Sequence, residues 1–311
     1  MIADPVAPTI VTRAALHDMI SLYLDALVAH DPSRLPLTPD CRFTENGVAI
    51  PLGEALWHTI DRLDSYRVDY IDTDAGEAAS HVAFVENDLA GLMALRLKVV
   101  EGRIAEIETV IHRGAPMALS MPPVDPIWFE AEAPETRLTR AQLAEETENY
   151  LRAVSSSDGS KVKFNPNSAL RLENGTLMAL GPNDTWPHPL KPIEDQDSWF
   201  AAVRSTLGMP PGEQLDTGVY GFITSYDNAR FPLIDVKRQV VFGVWNFRRR
   251  GDVKGVTLNG KYYPHMERTQ FPNENLLGQA FKFRDGGITR VQGVFLNANV
   301  YRAGTGWDAP R

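Results

Sequence analysis

In RIAEIETVIHR (residues 103–113) strict alternation puts Glu106, Glu108, Val110 and His112 on one face of a strand and Ala105, Ile107, Thr109 and Ile111 on the other. A carboxyl whose proton affinity is raised by burial, beside an imidazole that titrates near neutrality, can serve as acid and base in proton transfer. Glu108 and His112 are therefore the leading catalytic candidates. A sheet face on which the carboxylates pair with Arg96 or Lys98 accounts for the same pattern without catalysis. Tyr23 and Glu45 extend the set, Tyr23 as a hydroxyl that reaches a ligand or as a core ring, Glu45 because nothing structural demands it before the Asn46-Gly47 turn. His58 and Asp61, three apart on what reads as a helix, suit an imidazole oriented by a carboxylate, or an exposed pair. Trp57 can orient a phenol or carbonyl, and it can equally fill the core, as can Trp186. Asn46 meets the turn's need for positive φ and is also a ligand-binding candidate, with Trp57, Asp61 and Arg96. Tyr226, Arg230, Tyr262, Tyr263 and His265 form an aromatic and basic collection suited to a flat, oxygenated ligand, to a cover over the first pocket or to an interdomain interface.

Other machinery lacks parts. The chain has no HExxH, GxSxG or GxGxxG. GVTLNGKYY spaces Gly255, Gly260 and Lys261 as a phosphate loop does, but Tyr262 stands where a magnesium-binding hydroxyl belongs, and Asn259-Gly260 reads as a hairpin turn. Arg248-Arg249-Arg250 reads as a solvated strand end. No two histidines fall at the i, i+3 or i, i+4 spacing of a helical metal site. No metal and no cofactor are expected.

Across the whole chain, 31 Lys and Arg against 40 Asp and Glu leave a net charge of −9, which repels nucleic acid and anionic membranes. The single cysteine, Cys41, permits no intrachain disulfide. The start MIADPVAPTIVTR lacks a signal peptide's basic and apolar regions, and no run approaches membrane-spanning length. A cytoplasmic protein with a small-molecule partner is expected, and a homo-oligomer is left open.

The elements that must position these residues occur twice. YLDALVAHDPSRLPLTPDCRFTENGVAIPLGEALW (23–57) returns as YLRAVSSSDGSKVKFNPNSALRLENGTLMALGPNDTW (150–186). Tyr23 matches Tyr150, Glu45-Asn46 matches Glu173-Asn174 and Trp57 matches Trp186, with the offset drifting from 150 − 23 = 127 to 186 − 57 = 129. LRLKVVEGRIAEIETVIHR (95–113) likewise resembles QAFKFRDGGITRVQGVFLN (279–297) at an offset of 184, so the second copy carries 184 − 129 = 55 extra residues. There Gln292 and Leu296 replace Glu108 and His112, which puts the expected catalysis in the first copy. Each copy begins with an amphipathic helix, the first capped by Thr12. GEALWHTIDRLDSY reads as a second helix, and four consecutive strands follow. The organisation predicted is a first domain over 8–115, a Pro-rich linker over 116–136, a second domain with a long insertion over 137–300 and a tail over 301–311. The order of helices followed by an antiparallel meander makes the fold class α+β in each of two tandem domains.

YLDALVAHD followed by RFTENG, GEALW and RLKVVEGRIAEIET resembles the nuclear transport factor 2-like superfamily, which includes SnoaL-like cyclases and scytalone dehydratase. The resemblance implies two tandem cone-shaped domains, each a curved antiparallel sheet packed on helices around an apolar pocket. It does not fix an activity, because members include dehydratases, isomerases, cyclases, a cofactorless diarylpropane lyase that releases formaldehyde, and binding proteins. With the missing motifs it leads to an expected cofactor-independent lyase. Such an enzyme would eliminate water or formaldehyde from a small hydroxylated aromatic compound. The alternatives are an isomerase or cyclase on a similar substrate, or a non-catalytic binding protein.

Overall fold

The computed structural model describes residues 11–114, 121–190, 192–298 and 304–307, with the backbone alone at 297 and 298. The expected domain limits at 8, 115, 116 and 300 lie outside the described residues.

Thr12 opens helix α1 (Arg13–Val28) by accepting the Ala15 N–H at 3.1 Å. Leu16, Ile20, Tyr23, Leu24 and Leu27, three to four residues apart, bury its inner stripe. Strands β1 (Leu37–Glu45) and β2 (Val48–Ala49) follow, then a short helix α2 (Leu56–Thr59) and the meander β3 (Ile60–Asp72), β4 (Glu77–Glu86), β5 (Leu89–Val100) and β6 (Arg103–Arg113). The second half has α3 (Arg140–Ser156), β7 (Leu170–Glu173), β8 (Thr176–Leu180), α4 (Trp199–Ser205), α5 (Pro211–Asp216), β9 (Ser225–Asp235), β10 (Val240–Arg249), the hairpin β11 (Gly255–Leu258) and β12 (Lys261–Pro264), then β13 (Asn273–Arg284) and β14 (Gly287–Ala298).

The strand orders are β2-β1-β6-β5-β4-β3 and β8-β7-β14-β13-β10-β9, so two six-stranded sheets share one topology in an α+β fold. Each meander is antiparallel, but β1 runs parallel to β6 and β7 parallel to β14, which makes both sheets mixed. The meander itself supplies the long crossover that parallel neighbours require.

The recurring Asn-Gly turn does the same work in both halves. The Asn46 N–H donates to the Thr109 carbonyl and its Oδ1 accepts the Ile111 N–H, each at 2.8 Å. Asn174 does so with Gly293 and Phe295, at 2.9 and 2.8 Å. The sequence offset is 174 − 46 = 128 at this turn, 240 − 77 = 163 between β4 and β10, and 273 − 89 = 184 between β5 and β13. The extra residues therefore come in two pieces. One of 163 − 128 = 35 precedes β9 and carries α4 and α5, and one of 184 − 163 = 21 follows β10 and carries the β11–β12 hairpin.

Three expectations require correction. The helix read over GEALWHTIDRLDSY is helical only from Leu56 to Thr59, and from Ile60 the chain pairs with β4. Apolar positions there satisfy both periods, and sheet pairing supplies backbone partners over thirteen residues. Trp57 is buried, but Trp186 is half-buried in an irregular stretch against the His188 ring, because the first inserted piece carries it away from the sheet. Arg248-Arg249-Arg250 is not a solvated strand end: alternation along β10 buries Arg248 on one face and Arg249 on the other, leaving only Arg250 exposed.

The sheets pack face to face with α1 and α3 on their outer sides. Tyr70, Ala79, Ala83, Leu92 and Val110 meet Leu233, Phe242, Leu276, Ala280 and Val294, and Trp128 from a turn at Pro126–Phe129 joins them. Ala94 and Gly278, at corresponding places on β5 and β13, approach so closely that a Cβ on Gly278 would lie 2.6 Å from the Ala94 Cβ. His81 is wholly buried there, hydrogen-bonded through Nδ1 to the Tyr70 hydroxyl (3.0 Å) and through Nε2 to the Gly278 carbonyl (3.1 Å).

Candidate active site

The sheet face that carries Glu108 is the one pressed against the second sheet. Glu108 is 3% exposed. It accepts the Arg230 Nη2 at 2.6 Å and lies 3.6 Å from the Arg96 Nη1, while Arg96 also holds Glu77 (2.8 Å) and Glu106 (2.7 Å). Burial raises the Glu108 pKa and the two guanidiniums oppose the rise, Arg230 more than Arg96. The other members are dispersed. Tyr23 and Trp57 pack edge to face, 5.5 Å apart, in the first core. Glu45 receives the Leu56 N–H and the Arg113 Nη2, both at 3.3 Å. His58 is exposed and 3.4 Å from Glu54, whereas Asp61 accepts the Asp88 N–H at 2.9 Å, so the expected His58–Asp61 pair does not form. The Tyr226 hydroxyl donates to Glu148 (3.0 Å), and His265 is buried behind Phe222, ring centroids 5.0 Å apart. In the first half, α2 inserts Leu56 and Trp57 into the core.

The second half keeps an open cavity of about 280 Å³ at the corresponding place. Its walls are Trp199 and Phe200 from α4, Tyr220, Phe222 and Ile223 from the same inserted piece, and Phe247, Leu277 and Phe295 from the sheet. Arg171, Glu173, Arg249, Arg268 and Asn275 supply its polar groups, and His112 reaches its rim from the first half. Among the described residues of this lining, three guanidiniums stand against one carboxylate.

Glu173 is the central group. Arg171 Nε (2.8 Å) and Gln279 Nε2 (2.5 Å) both donate to its Oε1, whereas the buried Oε2 has no hydrogen-bond partner. Burial raises its pKa, opposed by Arg171 and Gln279, so it is a stronger base than an exposed carboxylate. Room for it comes from Gly293 on β14: a Cβ there would overlap Glu173 Oε2 and lie 2.9 Å from Gln279 Nε2. The first half has Thr109 at this place, and its hydroxyl donates to the Thr44 carbonyl. Arg171 is set by the Tyr220 ring 4.6 Å away, and the Tyr220 hydroxyl is tied to the Met178 carbonyl at 2.8 Å.

At the mouth, Arg249 is 3% exposed and donates from Nη1 to Asn273 Oδ1 at 2.9 Å. Burial, then the charge of Arg268, pushes its pKa down to about 9. The guanidinium stays charged at neutral pH. Burial lowers the His112 pKa, as does Arg268, while a hydrogen bond to the Phe295 backbone opposes them. Among the described residues, no three His, Cys, Asp or Glu side chains converge as metal ligands. None of the described helices is long and apolar enough to cross a membrane.

Residues 10–111 and 136–295 match the model of a family described as a domain of unknown function, DUF8021. The chain belongs to the DUF8021 family. No curated protein matches this DUF8021 chain. Similar solved structures include a de novo designed protein with a curved β-sheet (15% identity, 35% of this chain and 94% of that one, TM-score 0.29). A candidate ketosteroid isomerase from Kribbella flavida DSM 17836 is also similar (16% identity, 39% and 91%, TM-score 0.25), as is IdmH, a candidate polyketide cyclase from Streptomyces antibioticus (17% identity, 50% and 91%, TM-score 0.26).

Of the cavity's polar groups, sequence reasoning points only to His112 as catalytic. Glu173 was visible as the counterpart of Glu45. Arg171 and Arg249 escape sequence reasoning because an arginine on an apolar strand gives no sign of which face it takes until the pairing is known.

Proposed function

We propose that the second half of this DUF8021 chain is a proton-transfer site for a small, apolar, hydroxylated substrate, and that the first half is its structural partner, derived from the same ancestral unit. The observation that carries the reading is Glu173 Oε2, a buried carboxylate oxygen without a hydrogen-bond partner on the wall of an aromatic-lined cavity. Glu173 removes a proton from a substrate carbon. In an elimination, the C–H electron pair becomes the new C=C bond, and the departing hydroxyl takes the proton back from Glu173 and leaves as water. In an isomerisation, Glu173 returns the proton to another carbon. Both balance without an oxidant or reductant, in keeping with a cofactor-independent lyase or isomerase. The aromatic walls suit a flat ring, and Arg171 holds the Glu173 carboxyl in place through Oε1.

The test is turnover of a panel of hydroxylated aromatic compounds by the wild type and by Glu173→Gln. Loss of roughly a hundredfold or more in a folded Glu173→Gln variant is expected. Unchanged turnover in that variant, or conversion of no member of the panel by the wild type, counts against the assignment.

A further inference from the structure

Around the glutamate that both halves keep, the second half is polar where the first is apolar. Arg171 stands in the place of Phe43 (171 − 43 = 128), Gln279 in the place of Leu95 (279 − 95 = 184) and Asn275 in the place of Gly91 (275 − 91 = 184). The last exchange bears on whether the space is filled. In the first half Gly91 pairs with Phe84 across β4 and β5, and the Phe84 ring lies over it so closely that a Cβ at 91 would fall 2.3 Å from Phe84 Cζ. In the second half Asn275 makes the equivalent pair with Phe247, its side chain takes the room that a ring in that pose would need, and both residues line the cavity. Within the protein the amide is poorly rewarded: Asn275 is 4% exposed and its Oδ1 has no hydrogen-bond partner. A buried amide oxygen left in this way costs stability, and a ligand that brings an O–H to it removes the cost.

We propose that Asn275 sets the specificity of this site by accepting the hydroxyl of a phenol, on the edge of the ring remote from the reacting carbons. The claim rests on the reading of the second-half cavity as the active site, and it names the residue and the substrate position that this residue recognises. Asn275, Leu277 and Gln279 alternate onto one face of β13. Asn275 and Gln279 are therefore roughly 13 Å apart along the strand. Gln279 holds Glu173 at one end of this face, Asn275 stands at the other, and the apolar Leu277 lies between them. A ring seated over Leu277 with its O–H on Asn275 turns its opposite substituent toward Glu173. Oε1 of that carboxylate is already taken by Arg171 and Gln279, which leaves Oε2 for the proton on carbon.

The probes are 4-ethylphenol, its isomer 2-ethylphenol and its methyl ether 4-ethylanisole, titrated against the full chain by calorimetry. The ether keeps the oxygen but has no hydrogen to donate. The wild type is expected to bind 4-ethylphenol about tenfold or more tightly than either of the others. In Asn275→Leu, which keeps the approximate outline and removes the acceptor, the preference for phenol over ether should shrink to under about threefold. Glu173→Gln should keep the full preference even where it abolishes turnover, which separates failure of the hydroxyl contact from failure of the catalytic reading. The proposal is overturned if the wild type binds 4-ethylphenol no more tightly than its ether or its 2-isomer, a comparison that needs no variant, or if the preference survives in a folded Asn275→Leu protein.

Discussion

Glu173 and Gly293 face one another across adjacent parallel strands, and the carboxylate occupies the space that any side chain at 293 would need. Gly293→Ala should therefore displace Glu173 from Gln279 and cut turnover by tenfold or more. The stability loss expected from overpacking is about 1–3 kcal/mol. Kinetics beside thermal melting would check this, and a folded Gly293→Ala protein with wild-type turnover would contradict it.

Glu108→Gln leaves Arg96 and Arg230 facing a neutral group between the sheets. Removing one member of a buried ion pair typically costs about 3–5 kcal/mol, though Arg96 retains Glu77 and Glu106 and should soften the loss. The expected outcome is a clear fall in melting temperature with ligand binding in the second-half cavity unchanged. Wild-type melting together with lost activity would return catalysis to the first half.

His81 gives the fold a pH signature. Burial pushes its pKa from 6.5 down to about 4 while both ring nitrogens stay hydrogen-bonded. Between pH 6.5 and 4 the unfolded chain binds this proton and the folded chain does not, so stability falls as pH falls through that window. The shift corresponds to about 3 kcal/mol at most. Denaturant melts at pH 7 and pH 4.5 should show a smaller acid loss in His81→Gln than in the wild type. Equal losses would place the acid sensitivity elsewhere.

Phe200 lines both the inner cavity and a groove formed by Trp186, His188, Leu190 and Ile193. Phe200→Ala should join the two and improve binding of substrates extended beyond one ring. Affinities for biphenyl and single-ring hydroxylated compounds, compared between the two proteins, would show it. An equal change for both ligands would leave Phe200 a packing residue only.

Topology was the most legible feature of this sequence. The Asn46-Gly47 and Asn174-Gly175 turns announced themselves through residue type, and the strand alternation that separates Glu108 from Ile107 is the one observed. Alternation divides a strand into two faces, but it does not say which face meets the helices and which meets another sheet. Glu108 therefore read as a pocket residue, although its partner, Arg230, lies 122 positions away on the other sheet. The same blindness hid Arg249, whose burial depends on β10 lying between β9 and β13. The first inserted piece was visible as extra length, yet nothing local showed that Trp199 and Phe200 would wall a cavity while Leu56 and Trp57 would fill one.

The central claim is that a substrate proton moves through Glu173 in the second half, and solvent-deuterium exchange read by NMR tests it most directly. With a hydroxylated aromatic substrate in heavy water, deuterium should enter the reacting carbon in the wild type and in a Glu108→Gln/His112→Leu double variant, and should not enter in Glu173→Gln. Exchange that persists in Glu173→Gln and disappears in the double variant would contradict the account.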